Sequence, residues 1–205
     1  MPPQEHHRSD TVHRALRDGT RDAHRALHAL APFAALLAGR LTRDDYAALT
    51  ARLHEFYRSF DARVDAAWAL CLAPRPCAYS PRAPLLAADP AALGHAARAA
   101  AATPALPAFD EAARLAGALY VVEGSLLGGA TLDGGAQRVL GTQDEAGRGY
   151  WAWCRREVGR RCPAMLALLD EVLDTPRALD AAQTTARATF AALHDWLAPT
   201  AHAQC

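Results

Sequence analysis

Two sets of residues in this 205-residue chain have types and spacings that could do chemistry. The first is histidine, nine in all. Neutral imidazole is a ready ligand for iron and other transition metals, but the nine are not equally placed for it. His24 sits on the shoulder of an apolar helical face made by Val12, Leu16, Ala23, Leu27 and Leu30, with Arg17 two turns earlier on the same stripe. His28 lies one turn beyond, farther toward the solvent side, and is the alternative ligand. His6 and His7 fall in a polar N-terminal segment, His95 on a short polar-flanked helix and His202 near the other end. A lone histidine on a helix is more often structural than a ligand, so placement alone makes His24 a candidate and no more.

The second set is glycine. Wound on a helix, residues 115–129 show a core stripe of Leu115, Leu119, Val122 and Leu126. The opposite side presents Gly117, Val121, Gly124 and Gly128, where a solvent-facing helix would carry Arg, Glu or Asp. Each glycine inside a helix costs about 1 kcal/mol relative to alanine, so several within a few turns imply a close approach by something dry. Tight packing against another helix and a flat ligand between bundle helices both satisfy the pattern.

The elements that must position these residues read as helices throughout. Alanine, leucine and arginine dominate, β-branched residues are scarce and isoleucine is absent, a composition that favours helix over sheet. A first helix spans about 11–30. After a break at Pro32 and a short segment at 33–37, Thr42 followed by Asp45 caps a long helix whose stripe is Tyr46, Leu49, Leu53, Phe56 or Tyr57, Phe60, Val64 and Trp68. Prolines between Pro74 and Pro84 impose a loop. Asp89 as cap and Pro90 in the first turn open a short helix to about 102. A helix from about 109 to 140 passes through the glycine-bearing run 123–129, where it is expected to bend or become irregular. Further helices cover 144–160, 163–173 and 176–197, the last capped by Thr175 with Pro176 at its first position.

The expected fold is an all-α single-domain bundle over 11–198, with a kinked glycine-rich helix and flexible tails at 1–10 and 199–205. Twenty-two basic and twenty-two acidic residues are interspersed, which leaves no basic surface for nucleic acid. The N-terminus has no apolar leader, and no apolar run of bilayer length is evident, so a cytoplasmic protein without membrane association is expected. Five cysteines without a CxxC pair indicate neither a disulfide framework nor a zinc site.

Two runs carry a specific resemblance. Leu119-Tyr120-Val121-Val122-Glu123-Gly124-Ser125-Leu126-Leu127-Gly128-Gly129 resembles the distal-helix motif of bacterial haem oxygenases, including those that supply bacteriophytochrome chromophore. The run from Leu16 to Leu27 is similar to the family's proximal segment, in which a threonine, here Thr20, precedes the iron-ligating histidine, here His24, by four residues. The resemblance implies His24 as the iron ligand and Gly124, Gly128 and Gly129 as backbone lying close over the porphyrin. It implies Arg17 at the haem edge, where cations and hydroxyls meet the propionates; Thr20 and Tyr120 suit the same edge, and Arg187 is a further candidate whose alternative is a solvated surface arginine. Ser125 stands where mammalian members have an aspartate that organises distal water, and His54 on the long helix is a candidate to take part in that network.

The implied reaction is oxidative opening of haem, at once substrate and cofactor, to biliverdin, carbon monoxide and ferrous iron. Gly124, Ser125 and Gly128 would control the distal side. No nucleotide-binding motif is present, so dioxygen chemistry would draw electrons from a separate reductase or ferredoxin, and the reaction would serve either iron acquisition or the supply of bilin to a bacteriophytochrome. A haem carrier or sensor that does not degrade its ligand is the rival on the same fold.

Overall fold

The computed structural model describes residues 3–73, 75, 79–94 and 102–198, with side chains from Thr11 onward in the first helix. Seven helices make up the described residues: α1 (Pro3–His28), α2 (Ala31–Leu37), α3 (Arg43–Cys71), α4 (Ala83–Ala92), α5 (Ala112–Leu140), α6 (Gly149–Val172) and α7 (Pro176–Leu197). No strand occurs among them, and the all-α architecture matches the composition.

The α5 helix is the centre of the bundle. It packs chiefly on α6 and α7, with α2 and α3 against its remaining surface, while α1 lies on α7 and α6, and α4 bridges α3 and α6. Leu115, Leu119, Val122 and Leu126 are all buried in one continuous core with Phe56, Tyr57 and Phe60 of α3. By length and composition α5 could cross a bilayer, which corrects the reading that no run of that kind exists. Its apolar residues are spent on the core instead.

Local signals worked where cap and helix adjoin. Thr42 Oγ1 accepts from the Asp45 amide at 3.0 Å, and Thr175 Oγ1 accepts from the Ala178 amide at 3.2 Å ahead of α7, each satisfying an otherwise orphaned donor. At Gly141 the chain leaves α5 through a left-handed residue with φ 67°, a conformation that glycine adopts without steric cost.

Several boundaries differ from expectation. The first helix begins at Pro3, so helix covers residues read as a flexible tail; positions 199–205 lie outside the described residues. Asp89 and Pro90 are inside α4 rather than opening a helix of their own. Pro163 lies within α6, which is one helix where two were expected; Trp151, Cys154, Met165, Leu168 and Leu169 keep the same side buried on both sides of it. Through 123–129 α5 continues without a break. Gly117, Gly129 and Gly135 leave no room for a Cβ against neighbouring helices, whereas Gly124 is open.

Candidate functional site

The glycine stripe divides into two parts. A Cβ at Gly117 would fall 2.2 Å from the backbone oxygen of Ala182, so this glycine exists to let α5 and α7 meet, and Val121 is buried one turn on. At Gly124 a Cβ would meet nothing within 4 Å, and at Gly128 it would meet His28 Cε1 at 3.4 Å. Helix packing is therefore realised in the first half of the stripe, while the second half is open at Gly124 and borders His28 of α1 at Gly128.

Contacts along α1 and α5 fix their register. The Tyr120 and His13 rings meet edge-on with centroids 6.3 Å apart, and the Tyr120 phenol feels the Thr20 hydroxyl and the Arg17 charge. The His28 ring borders Gly128, where an added Cβ would meet it at 3.4 Å. His24 and Gly124 fall between these two points in sequence, each four residues after Thr20 and Tyr120 and four before His28 and Gly128.

His24 is exposed on the α1 surface. Its ring packs edge-on to Phe190 of α7 at 5.8 Å and lies 4.3 Å, centroid to centroid, from the His28 ring. Partial burial pulls the His24 pKa below its usual 6.5, and the neighbouring His28 adds to the shift. Both effects favour the neutral imidazole, the form that binds metal.

Around this pair stand several of the other expected residues. Thr20 is buried and donates to the Leu16 carbonyl at 2.8 Å. Burial raises the Tyr120 pKa, keeping it a protonated donor. Arg17 is largely exposed beside Asp18, at 3.8 Å. Arg187 donates to the Gly19 carbonyl at 3.4 Å and to Thr184 Oγ1 at 3.2 Å, which holds it against α1 one turn before His24.

Three expected residues are not brought to this face. Gly129 faces α6, where a Cβ would lie 2.8 Å from Cys154 Sγ. Ser125 donates to the Val122 carbonyl at 2.8 Å and adjoins Tyr57 of α3. His54 is half-buried on α3 with Nδ1 3.7 Å from the Glu55 carboxylate, and none of its described contacts reaches α1 or α5. His95 and His202 lie outside the described residues, as do the side chains of His6 and His7.

A buried charge cluster went unread in the sequence. Glu123 accepts from Arg82 Nη2 at 2.8 Å and, in a two-pronged pair, from Arg161 Nε and Nη2 at 2.9 and 2.7 Å. All three are almost fully buried, and the Arg82 guanidinium lies over the Trp153 and Tyr79 rings at 4.4 and 4.9 Å. The available signal was an acid adjoining the core positions of an otherwise apolar helix. Against this cluster lies a pocket of about 280 Å3 lined by Trp68, Leu119, Arg161 and Met165. A second, of about 370 Å3, lies between the start of α5 and α7. Neither includes His24.

What the His24 face offers is a neutral imidazole on one helix, a side-chain-free stretch of backbone opposite, and an arginine and a phenol at one end. Residues 10–199 match the model of the heme oxygenase family. The chain belongs to the haem oxygenase family. No curated protein matches it. The match takes in every helix from α1 to α7, so this haem oxygenase fold is built from the whole bundle, and a haem oxygenase-like function follows from membership.

Proposed function

We propose that the protein opens haem oxidatively to biliverdin, carbon monoxide and ferrous iron, consuming dioxygen and electrons from a separate reductase or ferredoxin. The reading is supported by an exposed His24 on α1 and the open Cβ position of Gly124 on α5, which lie midway between the Thr20–Tyr120 and His28–Gly128 neighbours, in a chain of this family. His24 would hold the substrate iron through its neutral imidazole. Gly124 and Gly128 would let a porphyrin lie against α5 backbone, and the haem would itself supply the oxidising chemistry when bound.

The seven residues from Arg17 to His24 cover about 10 Å of helix, comparable to the reach from a porphyrin's iron to its propionates. Arg17, Tyr120 and Arg187 are accordingly assigned to the carboxylates, with Thr20 supporting Tyr120. Ser125 and His54 would act, if on the distal water, from the second layer behind α5. The bundle carries the haem contacts, and the bilin product passes to an acceptor such as a bacteriophytochrome.

The test begins with one equivalent of haemin added to the purified protein, which is expected to give a sharp Soret band that is weakened and shifted in His24→Ala. Ascorbate in air, with catalase and an iron chelator, should then bleach the Soret while a broad red biliverdin band grows. A Soret band that persists unchanged would replace the enzyme by a haem carrier or sensor. No spectral response at all would remove haem from the account.

A further inference from the structure

His24 and His28 form more than a ligand and its neighbour. Residues four apart on a helix share a face, and here the two imidazole centroids are 4.3 Å apart with planes inclined at 41°. With metal–nitrogen bonds of about 2.1 Å, two imidazoles bound to one ion have centroids about 4.6 Å apart at right angles and about 5.3 Å apart at the tetrahedral angle. The pair thus stands within about 1 Å of bidentate spacing, and histidines four apart on one helix face are a recurrent zinc-binding pair. Both residues are exposed, so an ion can reach them from water and keep its remaining ligands as water.

The surroundings do not oppose a cation. The nearest arginines of α1 are already engaged, Arg21 with Asp18 and Arg25 with Asp22. Across the cleft, Gly128 adds no charge and Gly124 no side chain. Among the described residues no group of three or more His, Cys, Asp or Glu gathers around one point, so the pair would be a two-ligand site for an exchangeable ion and not a structural centre. Imidazole donors select zinc, copper, nickel and iron over magnesium or calcium.

We propose that in the haem-free protein His24 and His28 chelate a divalent first-row transition-metal ion, and that this ion excludes haem from the cleft. The second half rests on His24 as the haem ligand proposed above; the first does not. An ion held by His24 Nδ1 or Nε2 removes the imidazole that the haem iron needs, and it holds the His28 ring in the gap beside Gly128. Haem loading would then depend on the free concentration of such an ion.

Zinc titrated into the haem-free protein, against a chromogenic chelator and with helical circular dichroism as the folding check, reads the site directly. One equivalent should be lost, or its affinity should fall at least tenfold, in His24→Ala and in His28→Ala, while His194→Ala on α7 retains it. Unchanged zinc affinity and stoichiometry in both α1 variants would overturn the site. The second arm titrates haemin in the presence of saturating zinc. Half-saturation should rise at least tenfold in the wild type and stay unchanged in His28→Ala, which keeps His24 for iron. Equal inhibition in both proteins would overturn the competition. Zinc binding that depends on the pair in a protein that gives no Soret response to haemin would leave the metal site standing and the haem reading failed.

Discussion

Gly117 and Gly124 sit seven residues apart on one stripe of α5, yet the same substitution should act on them in opposite directions. An alanine at either position relieves the helix-interior cost of glycine, by about 1 kcal/mol. At Gly117 the new Cβ would lie 2.2 Å from a backbone oxygen of α7, and backbone cannot swing aside as a side-chain tip can. Gly117→Ala should therefore destabilise by about 1–3 kcal/mol net through the displacement of α7. Gly124→Ala, which meets nothing within 4 Å, should be neutral or stabilising by up to about 1 kcal/mol. Urea denaturation of the two variants decides it, and equal losses would mean that Gly124 is packed as Gly117 is. Sequence alone placed both glycines on one face because period fixes direction, not distance. The neighbour that distinguishes them belongs to α7, far along the chain. The place of His24 at the edge of an apolar face was legible for the complementary reason: its own helix supplies that boundary.

At the scale of elements, caps divide in the same way. Thr42 and Thr175 act within three residues of themselves, and the sequence carries that information in full. Asp89 looked like a cap of its own helix and instead caps α6, accepting from the Gly149 amide at 2.7 Å and the Tyr150 amide at 3.0 Å. A short polar side chain before a proline fits a helix start, but the buried position of Asp89 facing a distant helix end prevailed. Burial raises the Asp89 pKa above its usual 3.8, against the lowering effect of those two amides and of Arg148. The folded state therefore holds the proton to higher pH than the unfolded chain. This group's contribution to stability grows as pH falls from neutrality through the folded pKa toward 3.8, and is lost as pH rises through that window. Asp89→Asn retains one acceptor and has no proton to take up. It should cost about 1 kcal/mol at pH 7, and the gap from the wild type should widen on acidification to pH 4. A constant gap between pH 7 and pH 4 in urea titrations would show that Asp89 does not titrate with folding.

For the molecule as a whole, the direction in which α5 presents its glycines matters more than their presence. A helix hydrophobic over much of its circumference has no strong preference for one rotation about its axis, and α5 is buried on several sides. Glu123 supplies that preference. Arg82, just before α4, and Arg161 of α6 grip its carboxylate, and the next residue, Gly124, turns with it. The helical pattern revealed the bundle and the two faces of α5, but could not reveal this clamp, whose arginines come from segments about forty residues away on either side and look in sequence like ordinary surface cations. Removing one member of a buried charge group leaves the others without compensation, which costs about 3–5 kcal/mol. Glu123→Gln should therefore lower unfolding stability by about that amount, although glutamine preserves the shape and one acceptor. If the clamp also sets the rotation of α5, the folded fraction of Glu123→Gln should bind haemin several-fold more weakly than the wild type, despite the distance of the substitution from His24. Full haemin affinity in a protein that has lost the stability would confine Glu123 to holding the core and assign the rotation of α5 to its packing on α7 at Gly117.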